Sequence, residues 1–280
     1  MSVTVVTDSA SALTDEVAAS LGIVVVPLRI MVGDRSYKDG TISHRELVEI
    51  EETVTTSGPS PQDFLEAIEG RASEDGVVVL TVSHEIAAST YLSAETAAKS
   101  MSVPVTVIDT ETAAGSQSLV ALAAGRVAQR GWTLEDVEAE ARRVIERVEL
   151  VAELPSLDHL ARSGHVPGAA AWAARWIGLH VVIALRQGRV RPLKPTLGPR
   201  AAMDYIVEAC VQSRPHPSAG LHLAGLHALR PEQAGELVER VREQIEPVEV
   251  FIGSFGTGMI IHSGPGVIGL AWWWDPNQPV

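Results

Sequence analysis

"GVVVLTVSHEIAASTYLSAETAAKSMSVPVTVID", residues 76–109, decides the fold. Val77–Val82 is an unbroken run of aliphatic and β-branched residues. A run of that length, without alternation, reads as a strand buried on both faces. Glu85–Ser100 follows with the composition of a helix, and Val105–Ile108 is a second buried-type strand. The same grammar extends upstream. Val3–Val6 is a short strand, Leu13–Leu21 a helix with Gly22 as its C-cap, and Ile23–Val26 a strand closed by Pro27. Between these two units, a helix is expected over Ser43–Glu52, a loop over Thr55–Pro61 and a helix over Gln62–Ala72. Downstream, Ala113–Gln129 is a helix stopped by Gly131. Strands alternating with helices predict a parallel sheet with both faces covered.

After Gly131 the pattern changes. Leu134–Arg147 is an amphipathic helix and Leu150–Leu154 a strand. Ala169–Ile177 is an Ala/Trp-rich helix, and Val181–Leu185 with Val190–Leu193 forms a hairpin around Gln187-Gly188. A helix is expected near Ala201–Gln212, a half-buried alternating strand over Leu221–Leu229, and a helix over Pro231–Ile245 with proline in its first turn. Val248–Ile252, Met259–His262 and Val267–Trp274 read as three further strands. Trp272–Trp274 cannot all face one way on a strand, so at least one is expected to be exposed or covered by the tail. The fold class is therefore α/β with two α/β domains. The first, 1–155, has a Rossmann-like parallel sheet, and the second, 156–280, has a mixed or antiparallel sheet with helices.

Composition narrows the function. The chain has 280 residues, 46% of them apolar, enough for a large core. A formal net charge of -13 opposes nucleic-acid binding and broad adhesion to anionic membranes. The one cysteine, Cys210, cannot form an internal disulfide. The N-terminus lacks a basic segment followed by an apolar one, and no 18-residue apolar stretch occurs. A cytoplasmic location is expected.

Several chemistries find no motif. There is no G-x-G-x-x-G after a strand, no Walker loop, no G-x-S-x-G elbow, no C-x-x-C and no H-E-x-x-H. Gly253, Gly256 and Gly258 are read as preceding a strand. His222 and His227 point to opposite faces of theirs, and no metal site is expected. What remains is a set of hydroxyl-bearing loops at strand ends: Asp8-Ser9, Thr56-Ser57, Ser83–Thr90 and Asp109-Thr110. Hydroxyls beside helix N–H groups suit an anion, a carboxylate or phosphate. Ordinary N-capping is the alternative reading of each loop taken alone.

The segments "VTDSASALTDEVAASLGIVVVPLRIMVGDRSYKDG" (6–40), "TTSGPSPQDFLEAI" (55–68), "VTVIDTETAAGSQSLVALAA" (105–124) and "IIHSGPGVIGL" (260–270) resemble the DegV family in order and spacing. The resemblance covers residues 3–275 as one unit. It implies two α/β domains with a fatty acid, such as palmitate or a C14–C18 relative, in a tunnel between them. It also implies no other cofactor, a carrier rather than an enzyme, and a separate fatty acid kinase as partner. The carboxylate-binding residues map onto Thr56, with Ser57 beside it, and onto His262. His262 would sit at the mouth of a strand, before the tight Gly264-Pro265-Gly266 turn. Readings of His262 as the nucleophile or general base of a small-molecule enzyme, or of the chain as a diverged non-binding member, stand as alternatives.

Three positions depart from the family pattern. A head-group serine aligns with Ala87, or with Ala88 if the register slips, leaving Ser89, Thr90 or backbone N–H groups to serve the anion. Ser163-Gly164-His165 stands where the family has an arginine, making His165 a secondary head-group contact. His180-Val181 replaces a Lys-Pro. The resemblance also places Trp172 and Trp176 at the tunnel wall. The basic cluster Arg186, Arg189, Arg191, Lys194 and Arg200 is either a solvated hairpin or a surface for a kinase or transient membrane contact.

Overall fold

The computed structural model describes residues 2–43, 46, 49, 50, 52, 54–72, 74–164, 166 and 168–276. A four-stranded parallel sheet runs in the order β2 (Val24–Val26), β1 (Thr4–Asp8), β6 (Val77–Thr81), β7 (Val105–Asp109). Successive side chains leave opposite faces, which is why the runs are apolar throughout. Val77 and Val79 join Phe64, Ile68, Ala94 and Ala97 of α2 (Pro61–Ile68) and α3 (His84–Ala98) on one face. Val78 and Leu80 join α1 (Asp15–Leu21) and α4 (Ala114–Gln129) on the other. Helix starts are chemically marked. Thr14 caps α1, and Ser60 with Asp63 forms a capping box on α2. Thr133 with Asp136 does the same for α5 (Leu134–Ile145).

The second sheet has six strands: β10 (Arg189–Thr196), β9 (His180–Arg186), β8 (Glu149–Leu154), β13 (Ile268–Asp275), β11 (Gly220–His227) and β12 (Glu249–Ser254). All neighbours are antiparallel except β11 and β12. Because β8 pairs with β9 and β13, the change of sheet falls between β7 and β8, ahead of residue 155. Helix α4 is buried along nearly its whole length between the two sheets. Its Gly115 permits the approach, since a Cβ there would lie 2.8 Å from Leu226 Cδ2. Helices α8 (Pro199–Gln212) and α9 (Pro231–Arg242) cover the far face. No described helix is long and apolar enough to cross a membrane.

Several elements correct the sequence reading. Leu221–Leu226 is buried on both faces, not half-buried, because α4 and α9 cover opposite sides of β11. Trp272, Trp273 and Trp274 are all buried, so none is exposed, and residues 277–280 of the tail expected to cover one lie outside the described residues. The indole N–H groups of Trp272 and Trp274 both donate to Ser213 Oγ, at 2.8 and 2.9 Å, while Trp273 stacks on His222 with ring centres 4.3 Å apart. Met259–His262 is not a strand. It lies in a short helix, α10 (Thr257–Ser263), so the glycines before it precede a helix. An antiparallel sheet absent from the sequence reading, β4 (Arg35–Lys38), β3 (Arg29–Val32), β5 (Val54–Ser57), turns part of the expected 55–61 loop into a strand. Half of the helix expected over 43–52 lies outside the described residues.

Candidate functional site

A cavity of about 120 Å³, counted as room for the centre of a water molecule, lies between the two large sheets. A single water needs about 10–15 Å³ on that measure, so the space holds far more than a trapped solvent molecule. The first half of the chain supplies Ala10 after β1, Val82 after β6, Ile86 and Ala87 in α3, and Ala113 and Ala114 at the start of α4. The second half supplies Leu150, Ala152 and Leu154 from one face of β8, and Ile183 and Leu185 from one face of β9. It also supplies Leu160 and Ser163 of α6 (Asp158–Ser163), and Phe255, Met259 and His262 around α10. Apolar voids of this kind stay dry and accept apolar guests.

Among the described residues, four lining side chains are polar: Thr56, Ser163, His262 and Ser263. Ser163 Oγ donates to Leu160 O at 2.8 Å, and Ser263 Oγ donates to Met259 O at 2.9 Å, each to a carbonyl of its own helix. Thr56 and His262 instead face each other across 206 residues of sequence, with Oγ1 and Nε2 2.6 Å apart. Strand β5 delivers the threonine, paired to Ile30 of β3, and α10 delivers the imidazole. This pair is the polar end of an otherwise apolar chamber. A hydroxyl and an imidazole at that separation can both address one carboxylate or hydroxyl head.

The start of α3 lies close by. Ala87 lines the cavity with non-helical φ −143°, ψ 68°, so the helix restarts at Ala88 and presents first-turn N–H groups there. Ala88 and Ser89 are exposed, and Thr90 is buried with its hydroxyl making no hydrogen bond. The bend after Ser57 touches this turn: a Cβ on Gly58 would lie 2.6 Å from Thr90 Oγ1 and 2.9 Å from Ser89 Oγ. The structure thus brings Thr56, His262 and Ala87 into one cavity. Thr90 is buried outside the cavity lining, and Ser57, Ala88 and Ser89 are exposed.

Other expected contacts are elsewhere. Ile183 and Leu185 face the cavity, so His180, out of phase with them along β9, faces away. Its ring pairs with the buried Glu153, whose carboxyl burial pushes upward in pKa. His180 therefore replaces no head-group cation. Trp172 and Trp176 of α7 (Ala169–Arg175) and its cap are half-buried at the edge of the core and do not line the cavity. His165 lies outside the described residues. Residues 181–185 are apolar throughout and only Glu153 interrupts residues 150–154, so the sequence did not mark which face of either strand lines the cavity.

Beneath the wall sits Asp8. Its Oδ1 accepts from Ala10 N at 3.0 Å and its Oδ2 from Val82 N at 2.7 Å, holding two cavity-lining residues. Complete burial raises its pKa to about 6, against the opposing pull of those hydrogen bonds. Among the described residues no cluster of His, Cys, Asp and Glu could hold a metal ion.

Known proteins resemble this chain over its whole length. The DegV family model, described as an uncharacterised protein, matches residues 2–274. A DegV domain-containing protein of Streptomyces coelicolor is 30% identical over 275 residues, covering 96% of this chain and 97% of that one. A fatty acid-binding protein of Thermotoga maritima is 28% identical, covering 77% of this chain and 75% of its own. A solved DegV family protein of Thermus thermophilus, described by its fatty acid binding, superposes with a TM-score of 0.87 at 29% identity, covering 98% and 100%. A DegV lipid-binding protein of Thermotoga maritima superposes at 0.88 with 25% identity and full coverage of both chains.

Proposed function

The chain belongs to the DegV family, and from that premise we propose that it binds a long-chain fatty acid, C14–C18, with its alkyl tail in the cavity and its carboxylate against Thr56 and His262. One observation carries the reading. A chamber lined by aliphatic side chains ends in a single mutually bonded polar pair, Thr56 Oγ1 and His262 Nε2 at 2.6 Å. Burying a sixteen-carbon tail at about 0.8 kcal/mol per methylene yields roughly 12 kcal/mol gross. Ordering costs of about 4–15 kcal/mol then reduce it. The tail supplies affinity and the head supplies orientation.

The protein acts as a carrier, presenting the carboxylate to a separate kinase. A reading of His262 as nucleophile or general base calls for a small polar cup, whereas the surrounding wall is aliphatic. The exposed Arg186, Arg189 and Arg191 on the β9–β10 hairpin offer the surface for a kinase or a brief bilayer contact.

The test is mass spectrometry of an organic extract of the purified protein, with labelled palmitate binding. A C14–C18 acid is expected, and Thr56→Val or His262→Ala should weaken palmitate about ten- to a hundredfold, as loss of a hydrogen bond to a charged group does. A protein that carries no acid and binds no palmitate rejects the reading.

A further inference from the structure

Thr56 and His262 ride on elements too short to place themselves. Strand β5 has four residues and α10 has seven, and the N-cap of α10, Gly256, has no side chain with which to cap it. An acceptor comes from elsewhere. Asp39, just past β4, has Oδ1 3.4 Å from Gly258 N, while its Oδ2 accepts from Ser9 Oγ at 2.7 Å. Ser9 Oγ in turn accepts from Leu28 N at 3.0 Å, and Asp39 N donates to Leu28 O at 2.8 Å. The fit leaves little slack. A Cβ on Gly256 would stand 3.1 Å from Asp39 Oδ2, and one on Gly258 3.6 Å from it and 3.7 Å from Thr56 Cγ2.

Asp39 therefore links the segments around the polar end, bonding Ser9, Leu28 and Gly258. It directly follows β4 of the three-stranded sheet that holds Thr56, where Lys38 pairs with Arg29 and Thr56 with Ile30. It grips the first turn of the helix that holds His262, and through Ser9 it reaches the end of β1. Resting on the fatty-acid reading, we propose that Asp39 is a positioning residue: it keeps α10 in register with β5, holding the Thr56–His262 pair at the spacing that prefers a carboxylate over an uncharged head.

The experiment compares palmitate with hexadecanol, which shares the tail and lacks the charge. Each is measured by displacement of a fluorescent apolar probe from wild type, Asp39→Ala and Asp39→Asn. Asp39→Ala should weaken palmitate about tenfold, the scale of one hydrogen bond to a charged group, and leave hexadecanol within about twofold. Asp39→Asn, which keeps an acceptor for Gly258 N, should recover most of the loss. A parallel fall for both ligands, or no change for either, overturns the proposal. Wild type that binds neither ligand defeats the fatty-acid reading instead. Asp39 is then judged by the ¹⁵N resonance of His262 Nε2. It should move toward that of a solvated imidazole in Asp39→Ala, and an unmoved resonance overturns the role.

Discussion

The two parts of the cavity are held in place by different physics. Its apolar wall comes from β8, β9 and the start of α4, elements anchored by burial on both sides, and their positions follow from packing. Its polar end comes from a four-residue strand and a seven-residue helix, tied together by side-chain bonds that cross 206 and 219 residues of sequence. The wall is self-supporting and undemanding about individual residues of suitable size. The polar end depends on a few specific oxygen atoms. On the proposed function, affinity would belong to the first region and discrimination to the second.

The largest expected effect tests the wall. Ala113 is fully buried, lines the cavity and has extended φ −155°, which any residue adopts. Its neighbour Ala114, at φ 53°, is a poorer choice because larger residues there add strain. In Ala113→Phe the ring enters the cavity. Excluding about five methylenes at about 0.8 kcal/mol each costs about 4 kcal/mol, about a thousandfold in palmitate affinity. Overpacking itself costs about 1–3 kcal/mol of stability. Titration with labelled palmitate and a thermal melt separate the two. A folded variant with unchanged palmitate affinity would show that the tail lies elsewhere.

The same contrast explains what the sequence disclosed. The parallel sheet was legible because Val77–Val82 and its companions are unbroken β-branched runs, a signal that needs no partner. The cavity wall was not legible, because β8 and β9 are apolar on both faces apart from Glu153 and the sequence does not tell which face meets the cavity. Thr56 and His262 came from the family resemblance, and the structure sets them 2.6 Å apart, on elements the sequence reading had not given them. Met259–His262 has the composition of a strand, and seven residues are too few for a helical period to speak. The β3–β4 pair was missed because its exposed strand, Arg35–Lys38, is polar. The family pattern drew attention to His180, but one step along a strand reverses the face, and its ring pairs with Glu153 instead. Asp39 carried no signal, because its role arises only when three distant segments meet.

A smaller effect separates the regions by pH. Aliphatic residues do not titrate, whereas Asp8 supports Ala10 and Val82 with a buried carboxyl whose pKa rises from 3.8 to about 6 on folding. The folded state thus holds this proton more tightly than the unfolded chain. Its contribution to stability is fully present below about pH 4 and is lost as pH rises through about 6. A shift of that size corresponds to about 3 kcal/mol. Asp8→Asn should remove this slope, so denaturant unfolding at pH 4.5, 5.5 and 7 should show the variant gaining on wild type with rising pH. A constant difference would mean that Asp8 titrates alike in both states.

The smallest effect marks where the wall ends. Trp172 and Trp176 stand four residues apart on and just beyond α7, half-buried at the rim of the core, with Arg175 5.8 Å over the Trp176 ring. Neither lines the cavity, so neither is expected to contact a tail bound there. Trp172→Ala should leave palmitate affinity within about threefold and appear mainly as lost stability, of the order of 1–2 kcal/mol for a partly buried ring. Calorimetric binding alongside thermal melts reads both numbers on one preparation. A loss approaching that of Ala113→Phe would place the indole against the alkyl chain. The boundary drawn between packing residues and tail-binding residues would then move outward to include α7.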